Sequence, residues 1–257
     1  MRGNFKKLIF HYQNHIQDIK RMSTTASTSS SKNDKILIFD LDGCLYDANC
    51  GYVEHIRSNV FKFMVNKEWC STVEEAKSIW TPLFKQYNQT KRGLRANGYK
   101  FDDKEYWAYV REGASEFISK DESLSLFLNS ITNSKYIMTN CAETEAKSLL
   151  ELLGISNHFN KIYGADFLGD ICKPEKDAFE MVLRDIGIEG PQAIFFEDSY
   201  KNLVTAKEID MQCVLVKGGG LTAHEESVDR EKEKILDLIV TTLSDVEDQN
   251  KIIDLLK

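Results

Sequence analysis

The stretch ILIFDLDGCL, residues 36–45, decides how this chain folds. Ile36 to Phe39 form a short, continuous apolar run, and a run of that length suits a strand buried on both faces, as in a parallel sheet. Asp40 and Asp42 then stand at its carboxyl end, one residue apart, ahead of Gly43, which permits a tight turn. Ligands of open parallel sheets bind outside the carboxyl ends of strands. Two carboxylates this close have three chemical uses: holding Mg²⁺ through hard oxygens, nucleophilic attack by one, and acid–base work by the other. An acidic turn that merely closes a strand is the competing reading of a bare D-x-D.

Working outward, four more runs have the same character: Tyr136–Met138, Lys161–Tyr163, Ala193–Phe196 and Cys213–Val216. Helix-like segments near 142–153, 175–186 and 200–209 separate them. The alternation predicts an α/β fold, a doubly wound parallel sheet. One gap breaks the rhythm, because about ninety residues of helical periodicity separate strand 36–39 from the next strand. That length predicts an inserted all-helical domain rather than a loop. The expected organisation is an extension over 1–33, a core domain formed by 34–46 and 131–257, and a helical cap domain over 47–130. Trp69, Trp80 and Trp107 are expected to give the cap a small core of its own. A last strand, Leu238–Thr241, and a closing helix capped by Ser244, with Asp245 and Glu247 in its first turn, are expected at the end.

The chain has 257 residues, 33 Lys+Arg, 40 Asp+Glu and a net charge of -7. Its acidity argues against a broad nucleic-acid footprint, and no apolar run approaches the roughly 20 residues of a membrane span. The charge is uneven. Residues 1–33 carry six basic side chains and one acid, so a head of +5 leaves -12 on the remainder. The head combines the periodicity of a basic amphipathic helix (Phe5, Leu8, Ile9, Tyr12, Ile16) with a Ser/Thr-rich linker, Ser23 to Ser31. That is the composition of an organelle transit peptide, so mitochondrial or plastid import stands beside a cytoplasmic expectation, and Met22 is an alternative start. The six cysteines lack zinc-site spacing, and a reducing compartment is expected.

Four further features carry chemistry. Strand 136–138 ends in Thr139-Asn140, a hydroxyl and an amide suited to hold an anion at a helix start. Lys173 precedes Pro174, placed at the first position of helix 175–186. Strand 193–196 ends in Glu197-Asp198, with Asn202 beyond. A divalent cation between Asp40, Asp42 and Asp198 would account for the negative charge gathered there. Arg92 and Arg95, beside Gly93 and Gly98, are candidates to hold the rest of an anionic substrate. Gly218-Gly219-Gly220 lacks the context of a phosphate loop and is expected to be a flexible turn. None of the five histidines has ligand spacing.

D-x-D-G, Thr-Asn, Lys-Pro and Glu-Asp, in that order and at strand ends, resemble the four motifs of the haloacid dehalogenase (HAD) superfamily, and the long helical insertion resembles its C1 cap. LDGCLYDANCGY (41–52), YNQTKRGLRANGYKFDDKEYWAYV (87–110), ICKPEKDAFE (171–180) and FFEDSYKNLVTAK (195–207) are similar to the pyrimidine 5′-nucleotidase-like phosphatases of that superfamily. The chain departs from that branch in having Cys44 where many relatives have Thr, Trp107 where a His is expected, and Arg111-Glu112-Gly113 in place of a His-Gly pattern.

The resemblance implies a Mg²⁺-dependent phosphomonoester hydrolase acting on a small phosphorylated metabolite, a nucleoside 5′-monophosphate first. Asp40 would be the nucleophile that forms an aspartyl-phosphate, and Asp42 the acid and then the base. Mg²⁺ would be held by Asp40, the Asp42 backbone carbonyl and Asp198, with Glu197 and Asn202 behind them. Thr139 and Asn140 would hold phosphoryl oxygens, and Lys173 would neutralise charge. The alternatives are a sugar-phosphate phosphatase or phosphomutase on the same scaffold, and a non-catalytic regulator that binds a phosphorylated ligand. A monomer or homodimer is expected, without nucleic-acid or membrane partners.

Overall fold

The computed structural model describes residues 35–218 and 234–257. The expectations for the head, and for Gly219 and Gly220, fall outside them. Strand β1 (Ile36–Phe39) lies between β2 (Lys135–Met138) and β4 (Ala193–Glu197). With β3 (Lys161–Tyr163), β5 (Gln212–Val216) and β6 (Leu238–Val240) they form a six-stranded sheet ordered β3-β2-β1-β4-β5-β6, every pair parallel. The order reverses beside β1, the topological switch point where such folds place their ligand site. The fold is doubly wound α/β.

Side chains alternate across the sheet with period two. Leu37, Phe39, Ile137, Ile194 and Phe196 join one apolar cluster, while Ile38, Met138, Phe195 and Cys213 join the other. The first face is covered by α5 (Glu122–Ser130), α6 (Glu143–Leu153) and α10 (Val246–Leu255). The second is covered by α8 (Lys176–Ile186) and α9 (Tyr200–Glu208), with the short α7 (Ala165–Leu168) beside β3. Phe39 stacks on Phe196 at 4.4 Å between centroids, which fixes β1 against β4 under the site.

Between β1 and β2 lie α1 (Tyr52–Asn66), α2 (Val73–Tyr87), α3 (Thr90–Ala96) and α4 (Asp103–Arg111). Thr72 caps α2 and Asp102 caps α4, each by accepting a backbone N–H three residues on. The insertion does not enclose a separate core. Phe61, Phe63, Met64, Leu94 and Trp107 belong to the same apolar cluster as Leu37 and Phe39, because α4 packs down onto α6 and the two layers share that apolar surface.

Two end signals differ from expectation. Pro174 does not begin a helix: Glu175 is the N-cap of α8, and residues 172–175 close a turn through Glu175 N–H donating to Cys172 O at 2.8 Å. Asp245, not Ser244, caps α10, since its carboxylate accepts both Glu247 and Asp248 N–H, while Ser244 Oγ donates to Asp121. Among the described residues no helix is long and apolar enough to cross a membrane.

Candidate active site

Because every strand is parallel, the carboxyl ends of β1, β2 and β4 lie on one side of the sheet. Asp40 follows β1, Thr139 and Asn140 follow β2, and Glu197 and Asp198 close β4. Lys173, 2% exposed, reaches between them. Its ammonium donates to Asp40 Oδ1 at 2.6 Å and to Glu197 Oε2 at 2.7 Å, over the face of Phe195. Asn202 Nδ2 and Ser199 N–H complete the shell of Glu197 at 2.9 and 3.1 Å.

Three carboxylates, those of Asp40, Glu197 and Asp198, offer oxygens within 4.8 Å of one another. One ammonium cannot balance them. Burial, and then the neighbouring Glu197, push the Asp40 carboxyl up to about 7. The same two causes push Asp198 well above the usual carboxylate range. Burial also pushes Glu197 upward, but Lys173 outweighs it and holds that carboxyl below its ordinary value. Lys173 is raised by the two acids against the effect of its own burial. An all-oxygen set short of positive charge is the environment a hard divalent cation fits.

Gly43 makes this convergence geometrically feasible. Its φ of +85° lies in the left-handed region, and a Cβ there would stand 2.5 Å from Asp198 Oδ2. The turn after β1 can approach β4 only with no side chain at that position.

Asp42 faces the insertion. Arg111, the last residue of α4, grips its carboxylate with both terminal nitrogens, Nη1 at 2.7 Å from Oδ1 and Nη2 on Oδ2, and Tyr46 donates to Oδ1 at 2.6 Å. Burial alone would raise the Asp42 carboxyl; Arg111 and then Tyr46 outweigh it and hold the group below the carboxylate range. Neither partner was expected from sequence. Tyr46, four residues on, is within local reach, whereas Arg111 is 69 residues away and no periodicity marks such a pair.

The remaining expected residues divide. Thr139 is buried on the cleft, its Oγ1 accepting Cys141 N–H at 3.2 Å. Asn140 also lines the cleft, but its side chain clasps the Lys173 backbone: Nδ2 donates to Lys173 O at 3.0 Å and Oδ1 accepts Lys173 N–H at 2.9 Å. In this arrangement it aims the lysine, and its amide is not free for an anion. Arg92 and Arg95 are not brought to the carboxylates. Arg92 pairs with Glu175 at 2.9 Å and donates to Cys172 Sγ, and Arg95 pairs with Asp103 at 2.6 Å. Both sit outside the cleft lining that holds Asp40. Gln89, unforeseen, ties the insertion to the core by donating from Nε2 to Asn140 O at 2.7 Å.

Residues 37–216 match the family model of haloacid dehalogenase-like hydrolases. The chain belongs to that family. Solved structures of the same fold include a HAD phosphatase from Thermococcus onnurineus, with a TM-score of 0.59 at 17% identity, covering 85% of this chain and 97% of that one. A predicted phosphatase from Clostridium acetobutylicum aligns with a TM-score of 0.58 at 18% identity, over 86% and 98%. An L-2-haloacid dehalogenase from Xanthobacter autotrophicus carrying covalently bound chloropropionic acid aligns at 0.53 and 14%, over 85% and 98%. At these identities the likeness establishes the fold, and the chemistry of this hydrolase must be read from its own residues.

Proposed function

We propose that the chain is a divalent-metal-dependent phosphomonoester hydrolase acting on a small metabolite, with a nucleoside 5′-monophosphate as the leading substrate class. The observation that carries the reading is the second carboxylate, Asp42, held two residues beyond Asp40 on the same turn. Displacing a halide from carbon needs no acid for the leaving group, whereas expelling an alkoxide from phosphorus does.

Asp40 is the nucleophile: one of its oxygens bonds to phosphorus in line as the ester P–O bond breaks, giving an aspartyl-phosphate. The departing alkoxide takes its proton from Asp42. Water then attacks the phosphorus, Asp42 accepts its proton, and Asp40 leaves as a carboxylate. Gripped by Arg111 and Tyr46, Asp42 is in the ionised form that serves this second step. Its use as the acid in the first step requires a proton on one of its oxygens. Lys173 holds Asp40 in place and offsets the charge that builds as carboxylate and phosphate approach. Asn140 keeps Lys173 at that position through its backbone. Asp40, Asp198 and the backbone carbonyl of Asp42 would hold a Mg²⁺ ion, which supplies neutralisation of the phosphoryl oxygens.

The test is phosphate release from nucleotides, sugar phosphates, glycerol phosphates and pyridoxal phosphate. Asp40→Asn should abolish turnover while the circular dichroism spectrum persists, and EDTA should stop the wild type until Mg²⁺ is added back. Turnover by Asp40→Asn would remove the nucleophile from the scheme, and isomerised product without free phosphate would make the enzyme a mutase.

A further inference from the structure

The cleft above the carboxylates has a volume of about 360 Å³, within the range of small-molecule sites. Its far wall belongs to the insertion and is apolar and aromatic: Ile56, Val60, Phe84 and Tyr106 line it. Set among them are three buried polar atoms without a hydrogen-bond partner, Trp107 Nε1, Arg111 Nε and Gln89 Oε1; a fourth such atom on the cleft lining, Asn202 Oδ1, belongs to the carboxylate end, where its amide nitrogen holds Glu197. Trp107 is 7% exposed, Gln89 4%, and the Arg111 side chain 8%. Buried polar atoms are normally paired, so three orphans on the insertion's side of one cleft call for a ligand that pairs them.

What that ligand offers follows from what each residue has already spent. An indole nitrogen can only donate. Both terminal nitrogens of Arg111 are taken by Asp42, which leaves its Nε–H. The amide nitrogen of Gln89 is taken by Asn140 O, which fixes its oxygen as the free end and an acceptor. On the insertion's wall the unmet set is therefore two donors and one acceptor. The cleft lining also carries four acids and four bases. Among the bases, Lys173 and Arg111 are already paired with acids, Lys201 donates to Asn88 at 2.7 Å, and Arg57 lies over the Trp80 ring at 5.8 Å. Arg111, the one cation among the three unmet residues, is already neutralised by Asp42.

We infer that Trp107, Arg111 and Gln89 form the subsite that reads the leaving group, and that they recognise a neutral, flat cyclic amide or imide, the hydrogen-bonding edge of a heterocyclic base. Aromatic walls take its faces, Trp107 and Arg111 donate to its two acceptors, and Gln89 accepts from its N–H. The inference rests on the phosphomonoesterase reading.

The test compares kcat/KM for nucleoside 5′-monophosphates with that for ribose 5-phosphate, which has the same sugar phosphate and no base. The wild type should prefer a base-bearing ester, and methylating the edge N–H of the preferred base should cost roughly tenfold. Trp107→Phe, which keeps an aromatic ring and deletes the N–H, should lower the nucleotide-to-ribose-phosphate ratio about fivefold. It should also weaken binding of the phosphate-free nucleoside, measured by calorimetry without turnover. The methylated substrates test the wild-type enzyme, so the result does not depend on the variant folding. Hydrolysis of ribose 5-phosphate as fast as of every nucleotide, or indifference to methylation, would overturn the inference and leave the phosphatase reading standing. Release of phosphate from no ester at all would overturn both.

Discussion

Replacing Lys173 by Met tests the charge balance of the site without any assay of catalysis. Methionine keeps the side chain's length and its packing on Phe195 while deleting the ammonium in contact with Asp40 and Glu197. Those carboxyls are 6% and 1% exposed by residue, and each loses an ion pair of 2.6 or 2.7 Å. Breaking a buried ion pair by removing one partner costs about 3–5 kcal/mol, because the remaining charge is left desolvated. Uptake of a proton by one of the two acids limits the loss, so about 3 kcal/mol is expected at pH 7.5, rising as pH increases. Urea unfolding followed by circular dichroism reads the difference. The double variant Lys173→Met/Glu197→Gln removes one of the stranded charges and should recover at least about 1 kcal/mol, a coupling expected between groups in direct contact. Mg²⁺ should stabilise Lys173→Met more than the wild type, since the ion would supply the lost positive charge. A Lys173→Met protein within about 1 kcal/mol of wild type, with no response to Glu197→Gln, would refute the reasoning.

Gly43→Ala should cost roughly 1–2 kcal/mol in backbone strain at φ +85° and displace Asp198, so the Mg²⁺ concentration for half-maximal phosphate release should rise at least about tenfold; an unchanged metal dependence would separate Asp198 from metal binding. Asp248, 3% exposed, accepts Thr241 and Thr242 N–H at 2.7 and 3.1 Å and Lys251 Nζ at 2.7 Å. Burial alone would raise its carboxyl, but Lys251 and the two N–H groups outweigh it and hold the group below its unfolded value. The stabilisation is therefore present above the unfolded carboxylate pKa and lost as pH falls through the folded one. Asp248→Asn should cost about 1–2 kcal/mol from pH 8 to 5, a gap that closes below about pH 4 in denaturation series; a gap that widens on acidification would reverse the sign.

The sheet was legible because each strand is a short apolar run bounded by turn residues. The carboxyl-end rule then brings Asp40, Thr139, Glu197 and Asp198 around one point from sequence alone. Strand ends differ by one residue at Lys135, Glu197, Gln212 and Val240, and the winding is as expected. Fine structure at the turns was not legible. Pro174 satisfies the composition rule for a helix start, yet the same residues also suit a turn that presents Lys173's backbone to Asn140, and that pairing prevails.

Charge gave the poorest guidance, for a physical reason. A basic residue near the surface pairs with whichever carboxylate the fold brings nearest, and Arg92 and Arg95, on α3, find Glu175 and Asp103 before they can reach a substrate. Arg111 does the reverse. Written as the last residue of an ordinary capped helix, it becomes the group in contact with Asp42, because α4 packs onto α6 of the core. Sequence periodicity states which face of α4 is apolar, and Trp107 and Val110 obey it. It does not state which part of the core that helix will meet. The insertion therefore contributes its polar residues to the site only through tertiary packing, and Arg111, Trp107 and Gln89 become readable together only once the cleft they share has formed.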